Sequence, residues 1–300
     1  MWINQPGQIS EHASMLGNMA FPCYLIKGER SALIDAGITS LAPLLRQEFA
    51  RDKLILNYVL VTHSHFDHVG GLGVIRELAP RAIVVGSAKA TALLSKRKDY
   101  DFILSMNRAG EESYQLANLI GQEQIRLQPD DLRVDRVVGQ GDVIDLGQGV
   151  SLEVHLTPGH TRCSVSYLLK PDRVLFGGDG LGAYLSADQV GSQFTSSYHK
   201  YIDSLRKIQK MDLAAIGLPH QGVLTENDAD RHIKTAIRCA EEHFAAISQE
   251  LADGKSVKEI TEILFDRHYK GIALMEPEKA FRINLQAMVN VVSKEQSTQG

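Results

Sequence analysis

Four side chains that can bind metal ions stand close together in the stretch "VLVTHSHFDHVGG", residues 59–71. They are His63, His65, Asp67 and His68. Imidazole nitrogens and carboxylate oxygens are ligands that borderline and harder divalent metals accept. One tetrahedral ion would have difficulty using all four donors of a single loop. The run therefore favours two metal ions over one.

The element that must hold this cluster is the apolar run directly before it. Residues 54–61 are rich in leucine and β-branched residues, which predicts a buried strand ending at Thr62. The cluster then lies on the loop at the end of that strand. In the extended part, His63 and His65 can point to the same side, and Asp67 follows as the chain turns.

Three more donors follow other strand-like segments downstream. They are His160 in "LTPGHTRCS", Asp179 in "LFGGDGLG" and His220 in "GLPHQG". Each lies beside glycine or proline, where a loop can bring a side chain to a shared edge. Taken alone, each histidine would be interpreted as an ordinary surface or core residue, and Asp179 as a turn or helix-capping residue. Together with the first cluster they predict a metal site.

The remaining histidines and the cysteines are predicted to lie outside this site. The histidines are His12, His155, His199, His232, His243 and His268, with His155 inside a strand and His232 and His243 on helix surfaces. Cys23, Cys163 and Cys239 are widely spaced and form no C-x-x-C pair. This pattern predicts packing thiols in a reducing compartment.

Composition limits the class of protein. A chain of 300 residues can bury a core without metal or disulfide staples, and 44% hydrophobic residues are ordinary for a globular protein. The net charge of −4 argues against a nucleic-acid partner. We see no basic leader and no apolar run of the roughly 20 residues that a membrane helix needs. We expect a cytoplasmic protein without membrane contact.

The pattern along the chain indicates two halves of sheet separated by helices. Two strands flank the turn at Lys27 and Gly28, another covers residues 82–86, and residues 87–121 predict a helical insertion broken near Gly110. A second group of strands is predicted at residues 134–138, 142–146, 150–156, 164–169 and 173–176.

The end of the chain predicts three amphipathic helices. The first ends before Gly254, and Ser256 with Glu259 forms a capping box that opens the second. We expect residues 1–225 to form the catalytic domain and residues 226–300 a helical extension that packs on it. Docking of a partner, or of a second copy in a homodimer, is the alternative use of these helices.

The ordered set of seven donors resembles the dinuclear hydrolase pattern of the metallo-β-lactamase superfamily, which includes glyoxalase II and N-acyl-homoserine lactonases. The motifs span residues 21–222. The resemblance implies a mixed α/β fold, an αββα sandwich with a helical insertion and a helical C-terminal extension. It also implies two divalent metal ions (Zn, Fe or Mn).

Carried over residue by residue, the resemblance assigns His63, His65 and His160 to the first metal. Asp67, His68 and His220 would hold the second, and Asp179 would bridge both. Two such cations lower the pKa of a shared water to near neutrality and so supply hydroxide. Asp67 and His220 are the candidate catalytic residues, with Asp67 placed to orient the hydroxide or carry its proton.

The differences between this chain and other branches of the family reduce the number of candidate activities. β-Lactamases proper commonly have cysteine where this chain has Asp179, and flavodiiron oxygen reductases have glutamate where His65 stands. The complete donor set also argues against the single-iron persulfide dioxygenases, and the charge balance argues against the tRNA-processing members.

The predicted function is hydrolysis of a small-molecule thioester, an acyl-coenzyme A or another acyl-thiol. The "PGQI" and "GDGLG" motifs and the helical extension resemble the layout of a family member that cleaves an aromatic acyl-coenzyme A. A lactonase or carboxylic ester hydrolase is the alternative within the enzymes, and a regulatory interaction protein is the alternative outside them. The predicted apolar walls of the site are Phe102, Met106, Tyr184, Phe194 and Tyr198.

Overall fold

Two seven-stranded sheets form the centre of the protein in a computed structural model, which describes residues 1–116 and 127–297. The strands are β1 (Trp2–Ile3), β2 (Gly7–Gln8), β3 (Ala13–Gly17), β4 (Pro22–Lys27), β5 (Ser31–Ile34), β6 (Tyr58–Leu60), β7 (Ile83–Ser87), β8 (Arg136–Val138), β9 (Val143–Gly147), β10 (Val150–Leu156), β11 (Val165–Lys170), β12 (Val174–Phe176), β13 (Ala183–Ser186), β14 (Gln189–Gly191), β15 (Ala215–Gly217) and β16 (Val223–Thr225). One sheet has the order β2-β3-β4-β5-β6-β7-β8 and the other β1-β16-β15-β12-β11-β10-β9, while β13 and β14 pair as a separate hairpin.

Helices cover the outer faces of both sheets. They are α1 (Ala42–Asp52), α2 (Phe66–Val69), α3 (Leu72–Leu78), α4 (Ala88–Leu94), α5 (Arg97–Leu116), α6 (Tyr198–Gln209), α7 (Asn227–Ala252), α8 (Val257–His268) and α9 (Glu278–Ser297). Short 3-10 turns cover Thr39–Leu41, Pro129–Leu132, Gly178–Leu181 and Gly271–Met275. The predicted αββα sandwich is confirmed. In the described residues no helix combines the length and the apolar character that crossing a membrane requires.

Alternation along the strands builds the layers of the sandwich. Leu33 and Val59 belong to the core beneath α1–α5, whereas Ile34 and Leu60 belong to the core between the two sheets. Tyr167 of the opposite sheet lies in the same central core. Because both faces of these strands are buried, the strands appear in the sequence as continuous runs of apolar residues.

Strand direction decides where the loops of interest leave the sheets. β5, β6 and β7 are parallel to one another, and β12 is parallel to β15. β10 has the same direction as β12, because both pair antiparallel with β11. The segments that follow β5 and β6 therefore share one end of their sheet, and those that follow β10, β12 and β15 share one end of the other.

Two details of the predicted elements are wrong. The strand before the histidine cluster covers only Tyr58–Leu60. Leu54 instead closes the end of α1, where its backbone N–H donates to the Phe49 carbonyl at 3.0 Å, and Ile55 is 79% exposed. α5 runs through Gly110 without a break, and the chain is interrupted instead at Ser95, the C-cap of α4. A glycine costs a helix interior only about 1 kcal/mol relative to alanine, less than the burial of Ile103 and Met106 on α5 contributes. Residues 117–121 of the predicted insertion lie outside the described residues.

The C-terminal helices have the predicted signals at their ends. Gly254, with φ +81°, follows the end of α7. The capping box of α8 forms, since the backbone N–H of Ser256 donates to Glu259 Oε2 at 2.8 Å. α6 to α9 share one apolar core that includes Leu205, Ala240, Ile260, Leu285 and Val289. The division of the chain at residue 225 stays a prediction.

Candidate metal centre

The seven donors singled out in the sequence converge at one end of the sandwich. His63, His65, His160 and Asp179 offer ligand atoms within 4.8 Å of one another, and so do Asp67, His68, Asp179 and His220. Asp179 belongs to both groups. This is the grouping expected from the sequence, while the role of these residues as ligands stays a prediction.

Loops at the strand ends deliver these donors. His65 has extended backbone angles (φ −73°, ψ 153°) and precedes α2, so that Asp67 and His68 stand on a single helical turn. Asp179 lies in the 3-10 turn that follows β12, and His220 follows β15. His160 follows β10 after a glycine with φ +138°.

The two oxygens of Asp179 face different sets of histidines. Oδ2 lies 3.3 Å from His160 Nε2 and 3.7 Å from His63 Nε2, whereas Oδ1 lies 3.1 Å from His68 Nε2. On the second side, Asp67 Oδ2 lies 3.4 Å from His220 Nε2. This geometry suits a carboxylate that bridges two neighbouring positions.

Most of the histidines are held from outside the site by their second ring nitrogen. Nδ1 of His68 lies 2.7 Å from Asp35 Oδ2, and Nδ1 of His160 lies 2.8 Å from the Gln193 carbonyl oxygen. Nδ1 of His220 lies 2.6 Å from the Ala20 carbonyl oxygen, and Nδ1 of His63 lies 3.1 Å from Thr62 Oγ1. An N–H donated outward from Nδ1 leaves the lone pair of Nε2 directed into the site. His65 has the opposite orientation, with Nδ1 3.1 Å from His160 Nε2.

Unpaired polar atoms test whether these residues fit a metal. Within residues 1–116 and 127–297, the buried Nε2 of His63 has no hydrogen-bond partner, and the buried atoms His68 Nε2 and Asp179 Oδ1 have only each other, at 3.1 Å. Leaving such an atom unpaired costs about 1–3 kcal/mol, which a cation bound to the lone pairs would offset. The set contains nitrogen and oxygen donors only, because the buried thiol of Cys163 belongs to neither group. These residues therefore fit divalent metal ions.

Burial and neighbouring charges shift the pKa values of the site histidines in different directions. Burial lowers the pKa of His63 and His160, and that of His65 to about 4. Burial also opposes charge on His68 and His220, but neighbouring carboxylates outweigh it, raising the pKa of His68 and bringing that of His220 to about 9. Protons therefore compete with metal ions for these two histidines.

Asp35 contacts the candidate metal centre, and the sequence reasoning did not single it out. It follows β5 with φ +57°, and its carboxylate accepts hydrogen bonds from the backbone N–H and the hydroxyl of Thr62, each at 2.8 Å. The same carboxylate holds His68. A signal was present in the sequence, since "SALID" ends a strand in an aspartate just as "VLFGGD" does.

Glu276 was also missed, because it comes from the segment between α8 and α9. Its carboxylate accepts a hydrogen bond from Asn284 Nδ2 at 3.0 Å. Burial first, and then the charge of Asp67, raises the pKa of Glu276 to about 8. No local pattern in the sequence points to it.

A cavity of about 430 Å³ opens beside the donors. Its lining includes His65, Asp67, Asp179 and His220 at the metal centre, and Met106, Ile247, Leu264, Leu285 and Met288 from the surrounding helices. The C-terminal extension therefore supplies much of the apolar wall. Such a site suits a ligand that is mostly apolar and has one reacting polar group.

The predicted wall residues are only partly correct. Phe102 and Met106 line the cavity. Tyr184 packs on Trp2 instead, with ring centroids 5.4 Å apart, and Tyr198 stacks on Phe244 at 4.0 Å. Phe194 is fully buried in the core of α6 to α9. These three side chains pack against other elements rather than facing the site.

The prediction that two histidines lie on helix surfaces is wrong. His232 is 2% exposed, and its Nε2 lies 2.9 Å from the Leu181 carbonyl. Nδ1 of His243 lies 2.8 Å from Ser192 Oγ, and His243 lines the cavity. Both belong to α7, which packs against the second sheet along one side and against α9 along another.

The fold and site define a metallohydrolase of a known class. Residues 22–220 match the Metallo-beta-lactamase superfamily. The chain belongs to this superfamily, as its donor motifs predicted. The chain is 28% identical to a metallo-beta-lactamase fold-containing protein of Sulfurisphaera tokodaii over 74% of this chain and 82% of that protein. The crystal structure of the archaeal protein superposes with a TM-score of 0.57 at 22% identity, over 93% of this chain and 98% of that one.

Two further relatives have assigned activities. An acyl-coenzyme A thioesterase of Gallus gallus is 29% identical over 57% of this chain and 61% of its own length. A hydroxyacylglutathione hydrolase of Nitrobacter winogradskyi is 30% identical over 55% of this chain and 48% of its own length. The chain thus spans about half to three fifths of these two relatives.

Proposed function

We propose that the protein is a dinuclear metal-dependent hydrolase that cleaves a thioester, an acyl-coenzyme A or another acyl-thiol. The observation that carries the proposal is that the donor cluster meets a cavity with largely apolar walls, which His65, Asp67, Asp179 and His220 line. The reacting carbonyl lies at the donors, and the acyl group extends between the helices. Two relatives named as a thioesterase and a hydroxyacylglutathione hydrolase support this choice.

Divalent ions held by His63, His65, His160, Asp67, His68, His220 and Asp179 would supply acidified water and polarisation of the carbonyl. Asp67 has a carboxylate within 3.4 Å of His220 Nε2 and lines the cavity, so it is placed to accept the proton of the attacking water. His220 is fixed by the Ala20 carbonyl and faces the cavity beside it. A thiolate leaves without needing a proton from the enzyme, because thiols have a pKa near 8.5.

The experiment is an assay of the metal-loaded protein on matched acyl-thioesters and lactones. Thioester hydrolysis at least about tenfold above the protein treated with chelator supports the proposal. Hydrolysis of lactones alone rejects the thioester and favours the lactonase. His68→Ala tests the dependence on the donor set, and His199→Ala, an exposed histidine outside the cavity lining, is the matched control.

A comparison in cells distinguishes the hypothesis of an interaction protein from the two enzyme hypotheses. If His68→Ala changed the cellular phenotype no more than His199→Ala did, while truncation after Gly254 abolished it, the metal centre would serve as a scaffold. The buried Nε2 of His63, which has no hydrogen-bond partner in the described residues, supports a site in use, because burying it without a ligand destabilises the protein.

A further inference from the structure

A second polar cluster lies in the same cavity, outside the metal centre. It consists of Ser192, which follows the β13–β14 hairpin, His243 on α7 and His268 at the end of α8. All three line the cavity. The rings of His243 and His268 meet edge to face with centroids 5.3 Å apart.

The cluster retains hydrogen-bonding capacity. Nδ1 of His243 is occupied, since it lies 2.8 Å from Ser192 Oγ, so Nε2 is the ring nitrogen left for a ligand. Within the described part of the chain, the side chain of His268 contacts the ring of His243 but makes no hydrogen bond. The cavity lining also includes the apolar Ile247, Leu264 and Leu285, and the charged Arg238 and Glu242, which pair with each other at 2.7 Å. A ligand that fills the cavity would therefore meet polar atoms here and hydrocarbon around them.

Burial favours the neutral form of both imidazoles. Burial lowers the pKa of His243, with Glu242 and Arg267 acting in opposite directions. Burial, His243, Arg267 and Lys270 lower the pKa of His268 to about 4. A neutral imidazole both donates and accepts a hydrogen bond, and therefore suits an uncharged partner.

We propose that Ser192, His243 and His268 form a specificity subsite that binds an uncharged hydroxyl group at the far end of the acyl chain. This rests on the proposed function only in taking the ligand to be an acyl group. A hydroxyl can donate to one imidazole and accept from the other, whereas a methyl group leaves both unpaired. Discrimination by buried polar groups against a ligand that lacks the partner is generally strong.

Binding of free carboxylic acids tests the subsite without requiring turnover. The probes are a series of ω-hydroxy acids that differ in chain length, each compared with the acid in which a methyl group replaces the hydroxyl. Calorimetry with the metal-loaded protein should find one chain length at which the hydroxy acid binds about tenfold more tightly. Equal or weaker binding of the hydroxy acid at every length, or no binding of it at all, overturns the proposal.

Variants assign the preference to the cluster. His243→Leu and His268→Leu should each reduce the preference to less than about twofold while leaving the affinity for the methyl acid unchanged or higher. His243→Gln, which keeps hydrogen-bonding groups, should restore part of it. Ser192→Ala should weaken the hydroxyl preference with little change in side-chain volume. This variant tests the assignment if a leucine variant fails to fold. His199→Leu is the matched control. A preference that survives in the folded variants rejects the assignment.

The outcomes also separate this inference from the proposed function. A hydroxyl preference in a protein that hydrolyses no thioester would keep the subsite and reject the thioesterase. Thioester hydrolysis with no hydroxyl preference would do the reverse.

Discussion

Asp35 Oδ2 lies 2.7 Å from Nδ1 of His68, across 33 residues of chain. The aspartate ends β5 and the histidine lies on the turn after β6, so the parallel pairing of these strands sets the contact. Asp35 also accepts two hydrogen bonds from Thr62, which hold its carboxylate in place. We therefore expect Asp35 to act as a positioning residue that holds the orientation of His68.

Asp35→Asn should weaken metal binding by about 10–100-fold, the usual effect of losing a partner of a metal-ligating histidine. The measurement is metal content after equilibration with graded concentrations of a chelator. Asp101→Asn, which removes an exposed carboxylate paired with Arg97, is the control. Metal affinity within twofold of the wild type in folded Asp35→Asn would contradict the assigned role.

Metal removal should lower the thermal stability of the protein as well as its activity. The buried atoms of His63, His68 and Asp179 lose their partner when the ions leave. A ligand at 100 times its dissociation constant stabilises a protein by about 2.7 kcal/mol. Calorimetric scans with and without chelator should differ by several degrees, and adding metal should restore the transition. Coincident scans would mean that the donors do not bind metal in the native state.

Gly159→Ala should damage the site from the backbone. This glycine has φ +138°, and an added Cβ would lie 2.3 Å from the Cα of Tyr201. We expect a loss of more than about 1 kcal/mol in the free energy of unfolding, with weaker metal binding because His160 is the next residue. Urea unfolding and metal content measure the two effects. Gly139→Ala, where no atom lies within 4 Å of the added Cβ, should change neither.

Asp172 should contribute stability that depends on pH. Burial opposes its charge, but hydrogen bonds from Ser10 and His12 outweigh burial and lower the pKa of Asp172 below its ordinary 3.8. A carboxyl group with a depressed pKa stabilises the fold above its unfolded pKa, and the effect is lost as pH falls through the folded value.

The free energies of unfolding of wild type and Asp172→Asn should accordingly differ most above pH ~5 and converge at lower pH. The His12 backbone N–H donates to Asp172 at 2.9 Å, so a difference of about 1.5–3 kcal/mol is expected for this charged acceptor. Asp212→Asn, with its side chain 83% exposed, is the control. A difference that does not vary with pH would show that the charge of Asp172 is not the cause.

The convergence of these seven side chains and the fold class could be predicted from the sequence. An apolar run precedes each of the donor segments, namely His63 to His68, His160, Asp179 and His220. Ligand chemistry and strand periodicity both depend on residues that are adjacent in the sequence. Parallel strands then bring the loops to one end, which is a general property of such sheets. The capping box at Ser256 was readable for the same reason.

Tertiary structure alone decided which nitrogen of each histidine faces the site, that Asp35 holds His68, and that Glu276 and His243 reach the cavity. These contacts join residues far apart in the chain, as in the 200 residues between Ala20 and His220. Helical periodicity indicates which face of α7 is apolar, but not that the helix is packed on two sides. Side-chain orientation depends on the close packing of elements that the local sequence does not specify.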